Sequence, residues 1–229
     1  MKKVIWGTVM AALVFGAAAY SENKVKLPEP LLKGGMELNQ VLKTRRSIRS
    51  YKEEPLSLDE LSQLVWSAQG ITDPKTGHRA APSAVARYPL KLYAVVKPGG
   101  VSGLKPGVYL YEPKDHSLSL TKEGDLYPEV LKANAFFNKW IENTDVVFVV
   151  GGVPGILQKT MPESGAKFMA LEAGMAAENL MLTAVSLGLG CCPVGGFKDE
   201  KIAATLGMDK DTEALLLVPV GKREAQSSQ

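Results

Sequence analysis

The stretch FMALEAGMAAENLMLTAVSLGLGCCPVGGF, residues 168–197, holds the most informative pattern of this 229-residue sequence. Residues 168–187 consist mainly of Ala, Leu, Met and Glu, which favours a long helix. The helix is apolar on nearly all sides, so it should lie in a core or in an interface. Gly188 and Gly190 end it, and we predict a short strand over residues 191–194.

Polar residues interrupt this apolar helix at Glu172, Glu178 and Asn179. A buried carboxylate is costly unless it has a partner. We therefore expect these side chains to bind a neighbouring chain segment or a second copy. After the helix, Pro193-Val194-Gly195-Gly196 forms a turn whose glycines let a backbone approach a flat ligand closely.

The rest of the chain predicts one α+β domain with a mixed central sheet flanked by helices. The capping box Ser57-Leu58-Asp59-Glu60 opens a helix that Gly70 ends. The β-branched run 145–150 is typical of a central buried strand. Further helices are predicted at 36–43, 127–140 and 199–206, further strands at 90–96, 107–112, 116–121 and 214–220, and a loop at 71–89.

The N-terminus has the layout of a secretory signal peptide over residues 1–21. Lys2 and Lys3 precede an apolar run to Ala19 that is shorter than a usual membrane span. An uncleaved N-terminal anchor is the alternative. Residues 22–35 are interpreted as a linker or arm, 36–223 as the domain and 224–229 as a tail. The protein is thus expected to be exported, periplasmic or secreted, and loss of both lysines lowers its net charge from +3 to +1.

Composition excludes several functions. The net charge of +3 argues against a nucleic-acid partner bound through overall charge. The only two cysteines, Cys191 and Cys192, are interpreted as small buried apolar residues, and two thiols without nearby partners exclude a structural zinc site. His78 and His116 are interpreted as loop and hairpin residues, and no side-chain nucleophile is identified.

Two groups of cations suit a phosphate. Arg45, Arg46 and Arg49 surround Ser47, and guanidinium forks with a hydroxyl bind phosphate well. Lys222 and Arg223 follow the last strand. A solvated basic surface is the alternative for the arginine cluster. Pro82-Ser83-Ala84, taken alone, is only a turn before a strand.

In this order, the features resemble the FMN-dependent nitroreductase family over about residues 40–223. The segment 82–90, Pro-Ser-Ala-Val-Ala-Arg-Tyr-Pro-Leu, is similar to the branch of thiazoline and oxazoline dehydrogenases (the SagB type). Other nitroreductases have an Asn-Gln-Pro-Trp stretch there. The dinucleotide pattern GxGxxG is absent after a first strand.

The resemblance implies an obligate homodimer with FMN between its subunits. Arg45, Arg46 and Ser47 would hold the phosphate and ribityl groups, with Arg49 as a nearby basic contact. Pro82, Ser83 and Ala84 would reach the flavin from the partner subunit. The turn beneath the isoalloxazine ring would be Pro193, Val194, Gly195 and Gly196, and Lys222 with Arg223 would be late phosphate-binding cations. Many relatives carry Glu where this chain has Gly195, so a side-chain contact to the ring is missing.

The implied activity is ping-pong hydride transfer through bound FMN on a small organic substrate, by nitro or quinone reduction or by dehydrogenation. The electron donor is NAD(P)H or another molecule, since an exported protein lacks the cytoplasmic NAD(P)H pool. A non-catalytic flavin- or ligand-binding protein and a purely structural protein are the alternatives. The subunit seam is expected on helix 168–187, at Met169, Ala170, Ala173, Ala176, Ala177, Leu180 and Met181.

Overall fold

The computed structural model describes residues 23–134 and 138–224. The predicted signal peptide and all of the predicted tail except Glu224 lie outside these residues. The strands are β1 (Lys24–Lys26), β2 (Ile71–Asp73), β3 (His78–Arg79), β4 (Leu90–Val96), β5 (Gly107–Glu112), β6 (Ser117–Glu123), β7 (Val146–Gly152), β8 (Leu189–Cys191) and β9 (Glu213–Lys222). The α-helices are α1 (Leu38–Thr44), α2 (Leu58–Gln69), α3 (Tyr127–Ala133), α4 (Pro154–Gln158), α5 (Gly165–Ser186) and α6 (Asp199–Leu206). Within this part of the chain, no helix is long and apolar enough to cross a membrane.

The main sheet has seven strands in the order β1-β6-β5-β4-β7-β9-β8, and β2 and β3 form a separate ribbon. Neighbouring strands of the main sheet pair antiparallel, and a parallel contribution comes from the isolated bridge between Leu56 and Val101. The predicted α+β class with helices flanking a central sheet is confirmed.

Alternating residues of the central strands pack into two hydrophobic cores, one on each face of the sheet. On β7, Val146, Phe148 and Val150 face the core built with α2 and α5. Their neighbours Val147 and Val149 face a second core built with α3 and α6. Side chains alternate across a strand, so a strand buried on both faces is apolar throughout, as the run at 145–150 predicts.

Helix α5 packs its predicted seam residues inward. Met169, Ala173, Ala176, Ala177, Leu180 and Met181 are all buried within the single chain. The expectation that these residues form the subunit seam is therefore wrong, because the sheet and α2 already cover that face. Ala170 is exposed. The exposed large apolar side chains of α5 are instead Leu171 and Met175.

Other elements differ in extent from the sequence prediction. The helix predicted at 127–140 ends at Ala133, and a short 3-10 helix covers Lys139–Asn143. The loop 71–89 contains the β2–β3 ribbon, and the strand predicted at 191–194 is Leu189–Cys191.

The segment interpreted as a linker or arm lies on the domain. Its β1 pairs with the sheet edge, and Leu27 is buried. His116 holds it too, because its Nε2 lies 2.8 Å from the Pro28 carbonyl and 2.8 Å from the Ser62 hydroxyl. The Tyr111 hydroxyl lies 2.9 Å from Nδ1 of the same ring.

Candidate cofactor-binding site

The arginine cluster lies along the sheet edge formed by β8, beside the C-terminal end of β9. The Ile48 N–H donates to the Cys191 carbonyl at 2.9 Å, and the Lys52 N–H donates to the Lys222 carbonyl at 2.9 Å. The contact between segment 48–51 and β8 is close, because a Cβ added to Gly190 would lie 2.7 Å from Ile48 Cγ2. An isolated bridge joins Tyr51 to Arg223. The fold therefore brings both predicted groups of cations to one edge.

The arginines of this cluster have local supports instead of acidic partners. Arg46 donates to the carbonyls of Lys43 and Arg45, which places its guanidinium at the C-terminus of α1. The Arg49 guanidinium lies 5.8 Å from the centre of the Trp140 ring, a cation–π distance. Within the described residues, neither these two nor Arg45 or Arg223 forms an ion pair. Their charge is thus available to an anion.

Lys222 is engaged elsewhere. Its Nζ lies 2.7 Å from Glu60 Oε1, in the capping box of α2. Its backbone N–H donates to Asp145 Oδ2 at 3.3 Å. Burial raises the pKa of Asp145 to about 6, while Lys97 at 3.4 Å opposes that rise. To bind a phosphate, Lys222 would have to leave Glu60.

The predicted glycine turn is pinned at one residue and open at the next. Val194 and Leu217 exchange two backbone hydrogen bonds, at 2.8 and 3.0 Å. A Cβ built on Gly195 would meet nothing within 4 Å. Among the described residues, no group accepts from the N–H of Gly195 or Gly196. Within the described part of the chain, the Gly195 N–H is therefore unpaired and the space beside Gly195 is open, which fits a flat heteroaromatic ring.

The loop Pro82-Ser83-Ala84 packs on α5. The Ala84 N–H donates to Glu172 Oε1 at 2.8 Å, so this buried carboxylate has the kind of partner that the sequence predicted. The Ser83 hydroxyl accepts from the Tyr88 N–H at 2.8 Å. Ser83 therefore braces its own loop in the single chain.

The loop also has unusual backbone angles. Val85, Ala86 and Tyr88 have φ of 46°, 53° and 50°, the left-handed region that a β-branched residue such as Val rarely adopts. Each such residue costs about 1–3 kcal/mol and persists only where its surroundings hold it.

Arg79 is part of that support. Its N–H donates to the Tyr88 hydroxyl at 3.2 Å, and its guanidinium lies 4.6 Å from the centre of the Tyr88 ring. Its Nη1 also donates to Gln69 Oε1 at 2.8 Å. No sequence pattern points to Arg79, because its partners are set by the conformation of the loop.

The two halves of the predicted site lie at different positions along α5. The loop contacts it at Glu172, whereas Cys191 of the cation edge contacts it at Met181, and Ser186 accepts from the Met36 N–H just before α1. At 1.5 Å per residue, nine residues of helix separate Glu172 and Met181 by about 14 Å. One chain therefore places the cations and the glycine turn along the same edge of the sheet, but its residues 82–84 contact α5 at a different position.

Both cysteines are buried and free, as interpreted from the sequence. Burial raises the pKa of Cys191 to about 12, so its thiol stays protonated. Neither thiol is positioned as a nucleophile.

Comparison with known proteins identifies the class. The model of the nitroreductase family matches residues 42–222, and the chain belongs to that family. The family consists of oxidoreductases that generally use flavins, and its members act on small molecules. Free arginines beside an open glycine turn fit that cofactor type.

Individual relatives support the same family assignment. The chain is 35% identical to a provisionally named nitroreductase of Methanocaldococcus jannaschii, over 82% of this chain and 92% of the relative. A crystal structure of a provisionally named nitroreductase from Ralstonia eutropha is similar with a TM-score of 0.78 and 29% identity, covering 92% and 94% of the two chains. A chain of the Escherichia coli microcin synthetase complex McbBCD has the same fold, with a TM-score of 0.69, 18% identity and coverage of 95% and 85%.

Proposed function

We propose that this protein is an FMN-dependent oxidoreductase acting on a small organic substrate as a homodimer. The observation that carries the proposal is that arginines without an ion pair among the described residues and the open position at Gly195 lie along one edge of the sheet, beside β8 and β9. A mononucleotide flavin has one phosphate at one end and one flat ring at the other, and this site offers complements to both.

The roles of the residues follow from their positions. Arg45, Arg49 and Arg223 bind the phosphate and polar chain, with Arg46 held at the end of α1 and Ser47 exposed beside them. The N–H groups of Gly195 and Gly196 face the ring. Bound FMN would supply the chemistry of hydride transfer from one substrate to the next. The protein supplies position and electrostatics, and no side chain acts as nucleophile.

The distribution of exposed apolar side chains supports a two-fold dimer. Exposed large apolar residues lie near the loop contact at one end of α5, namely Val85, Leu171 and Met175. Three others, on α1 and just before it, lie near the opposite end of α5, where the Met36 N–H donates to Ser186: Met36, Leu38 and Leu42. Leu31 and Leu32 of the arm lie beside α2. A two-fold axis crossing the middle of α5 would place each patch on the other patch of the partner.

The same symmetry would complete the site. Because α1 leads directly into Arg45, an axis that joins the two patches also carries residues 82–84 of one copy towards the arginines of the other. Pro82, Ser83 and Ala84 would then contact the flavin bound by the partner subunit. The dimer would be obligate, since neither copy holds a complete site.

The loop 82–90 supports a closer assignment to the thiazoline and oxazoline dehydrogenase branch, and the fold shared with a chain of a microcin synthetase complex agrees with it. Dehydrogenation of an organic substrate is therefore proposed beside nitro or quinone reduction. Export through the N-terminal segment is also proposed. An exported enzyme would need an electron donor other than the cytoplasmic NAD(P)H pool.

Arg45→Ala tests the flavin site. We expect FMN to bind about 1.5–3 kcal/mol more weakly, the cost of a lost charged hydrogen bond, as measured by titration of flavin fluorescence. Lys33→Ala, which removes an exposed cation of the arm, is the control. A wild-type protein that is colourless and takes up no added FMN would refute the proposal. Bleaching of the yellow protein by a reductant and reoxidation by an acceptor would distinguish an enzyme from a flavin carrier.

A further inference from the structure

A cavity of about 380 Å³ borders the candidate cofactor site on the side of α3. Two contacts connect it to that site. Phe197, next to the glycine turn, forms a backbone bridge with Asn134, and the Lys198 N–H donates to the Ala133 carbonyl at 2.9 Å. On the other side, Trp140 contacts the guanidinium of Arg49.

The polar lining of this cavity is mostly cationic. Lys132, Lys139 and Lys198 line it, against a single carboxylate from Glu142. Lys132 shares its charge with Glu129 at 3.4 Å, but Lys139 and Lys198 have no ion pair among the described residues. The Lys201 amine contacts the Lys132 carbonyl at 3.2 Å and adds positive charge nearby.

Two amides add a fixed polar wall. Asn138 donates to Asn134 Oδ1 at 3.2 Å and accepts from the Trp140 indole N–H at 3.2 Å. Asn138 is thereby held between the cavity and the residue that supports Arg49. The lining thus combines mobile ammonium groups with an oriented amide, as in sites that bind a carboxylate or phosphate.

This positive charge exceeds what the flavin needs. The proposed phosphate of FMN carries about two negative charges, and four arginines already lie at its end of the site, namely Arg45, Arg46, Arg49 and Arg223. The lysines of the cavity belong to other elements: Lys132 lies on α3, Lys139 begins the 3-10 helix Lys139–Asn143, and Lys198 directly follows Phe197 before α6.

We infer that this cavity binds an anionic group of the reacting molecule, a carboxylate or phosphate, beside the flavin ring. The inference rests on the proposed function and narrows it to anionic substrates. The anion could belong to the acceptor or to the diphosphate of a nicotinamide donor, and the two sources require separate experiments.

The first experiment measures binding without turnover. Calorimetry would compare para-nitrobenzoate with the uncharged para-nitrobenzamide on the protein as purified. The variants are Lys139→Glu/Lys198→Glu and the control Lys210→Glu, an exposed lysine in the turn at the far end of β9 from Lys222. We expect the double variant to weaken nitrobenzoate binding about tenfold or more and to leave the amide within about twofold. The control should match wild type.

The second experiment separates the donor. Rates of flavin reduction by NADH and by uncharged N-benzyl dihydronicotinamide would be compared in the same variants. If the double variant is reduced more slowly by NADH only, the cavity binds the donor. If the double variant loses affinity for nitrobenzoate only, the cavity binds the acceptor. In wild type, raising the salt concentration should weaken the charged ligand only, which tests the inference even if the double variant does not fold.

The inference would be overturned if the double variant weakened charged and uncharged ligands equally, or changed neither. A flavoprotein that is equally active on the charged and the uncharged substrate would still agree with the proposed function. Conversely, a protein that prefers nitrobenzoate but binds no flavin would refute the proposed function and support the anion site.

Discussion

Gly190→Ala is expected to damage the cation edge of the site. The added Cβ would lie 2.7 Å from Ile48 Cγ2, 3.0 Å from Tyr51 Cε1 and 3.1 Å from Ile48 Cβ. Ordinary carbon contacts begin near 3.4 Å, so segment 48–51 must retreat by about 0.7 Å. A rotation of Ile48 moves Cγ2 but not Cβ, and the hydrogen bond from the Ile48 N–H to Cys191 holds the backbone in place.

We therefore expect a loss of about 1–3 kcal/mol in the free energy of unfolding of the apoprotein, the usual cost of overpacking. Displacement of the arginines should also weaken FMN binding about tenfold, which corresponds to ~1.4 kcal/mol. Urea unfolding and a flavin fluorescence titration measure the two effects.

Gly155→Ala is the matched control, since its Cβ would meet nothing within 4 Å on the exposed helix α4. It should leave FMN affinity unchanged and stability equal or slightly higher. If Gly190→Ala behaves like Gly155→Ala in both assays, the assignment of the β8 edge to flavin binding is refuted.

Three further predictions test assembly, electrostatics and processing. Met175→Asp, on the exposed face of α5, should give a folded protein that is monomeric in light scattering and carries little flavin, and a dimeric variant would contradict the proposed interface. Ala177→Arg should instead lose its fold by circular dichroism, because Ala177 is only 1% exposed. The raised pKa of Asp145, about 6 when folded, contributes stability below pH ~4 that is lost as pH rises through 6. Asp145→Asn should remove this change of at most ~3 kcal/mol in the free energy of unfolding, measured by urea unfolding between pH 4 and pH 7. An unchanged pH dependence in the variant would contradict the prediction. Mass spectrometry of exported protein should find cleavage near Ala19, and intact Met1 in a cytoplasmic pool would argue against export.

Local signals made much of the fold predictable. The capping box at Ser57 fixes the start of α2, since both of its hydrogen bonds lie within one turn. The apolar run at 145–150 identifies β7, because only a strand covered on both faces excludes polar residues over that length. The arginine cluster could be recognised because its members are adjacent in sequence, and its role as an anion site stays a prediction.

Features that depend on distant contacts were not predictable. Helix α5 is apolar on nearly every side, so the sequence alone could not say which face meets the sheet, and the seam was assigned to buried residues. The pairing of Lys222 with Glu60 joins positions 162 residues apart. Left-handed backbone at Val85 has no compositional signal, because glycine or asparagine would be expected there.

The place of β9 in the sheet affects when the site can form. This strand, residues 213–222, lies between β7 and β8, and β8 joins the sheet only through it. During synthesis the earlier strands can pair as they emerge, but β8 has no neighbouring strand in the sheet until residues 213–222 have been made. The edge that carries Ile48, Cys191 and the arginines is therefore assembled last. A chain cut before residue 213 would lose an inner strand as well as Lys222 and Arg223, so the proposed flavin site could not form before residues 213–223 are in place.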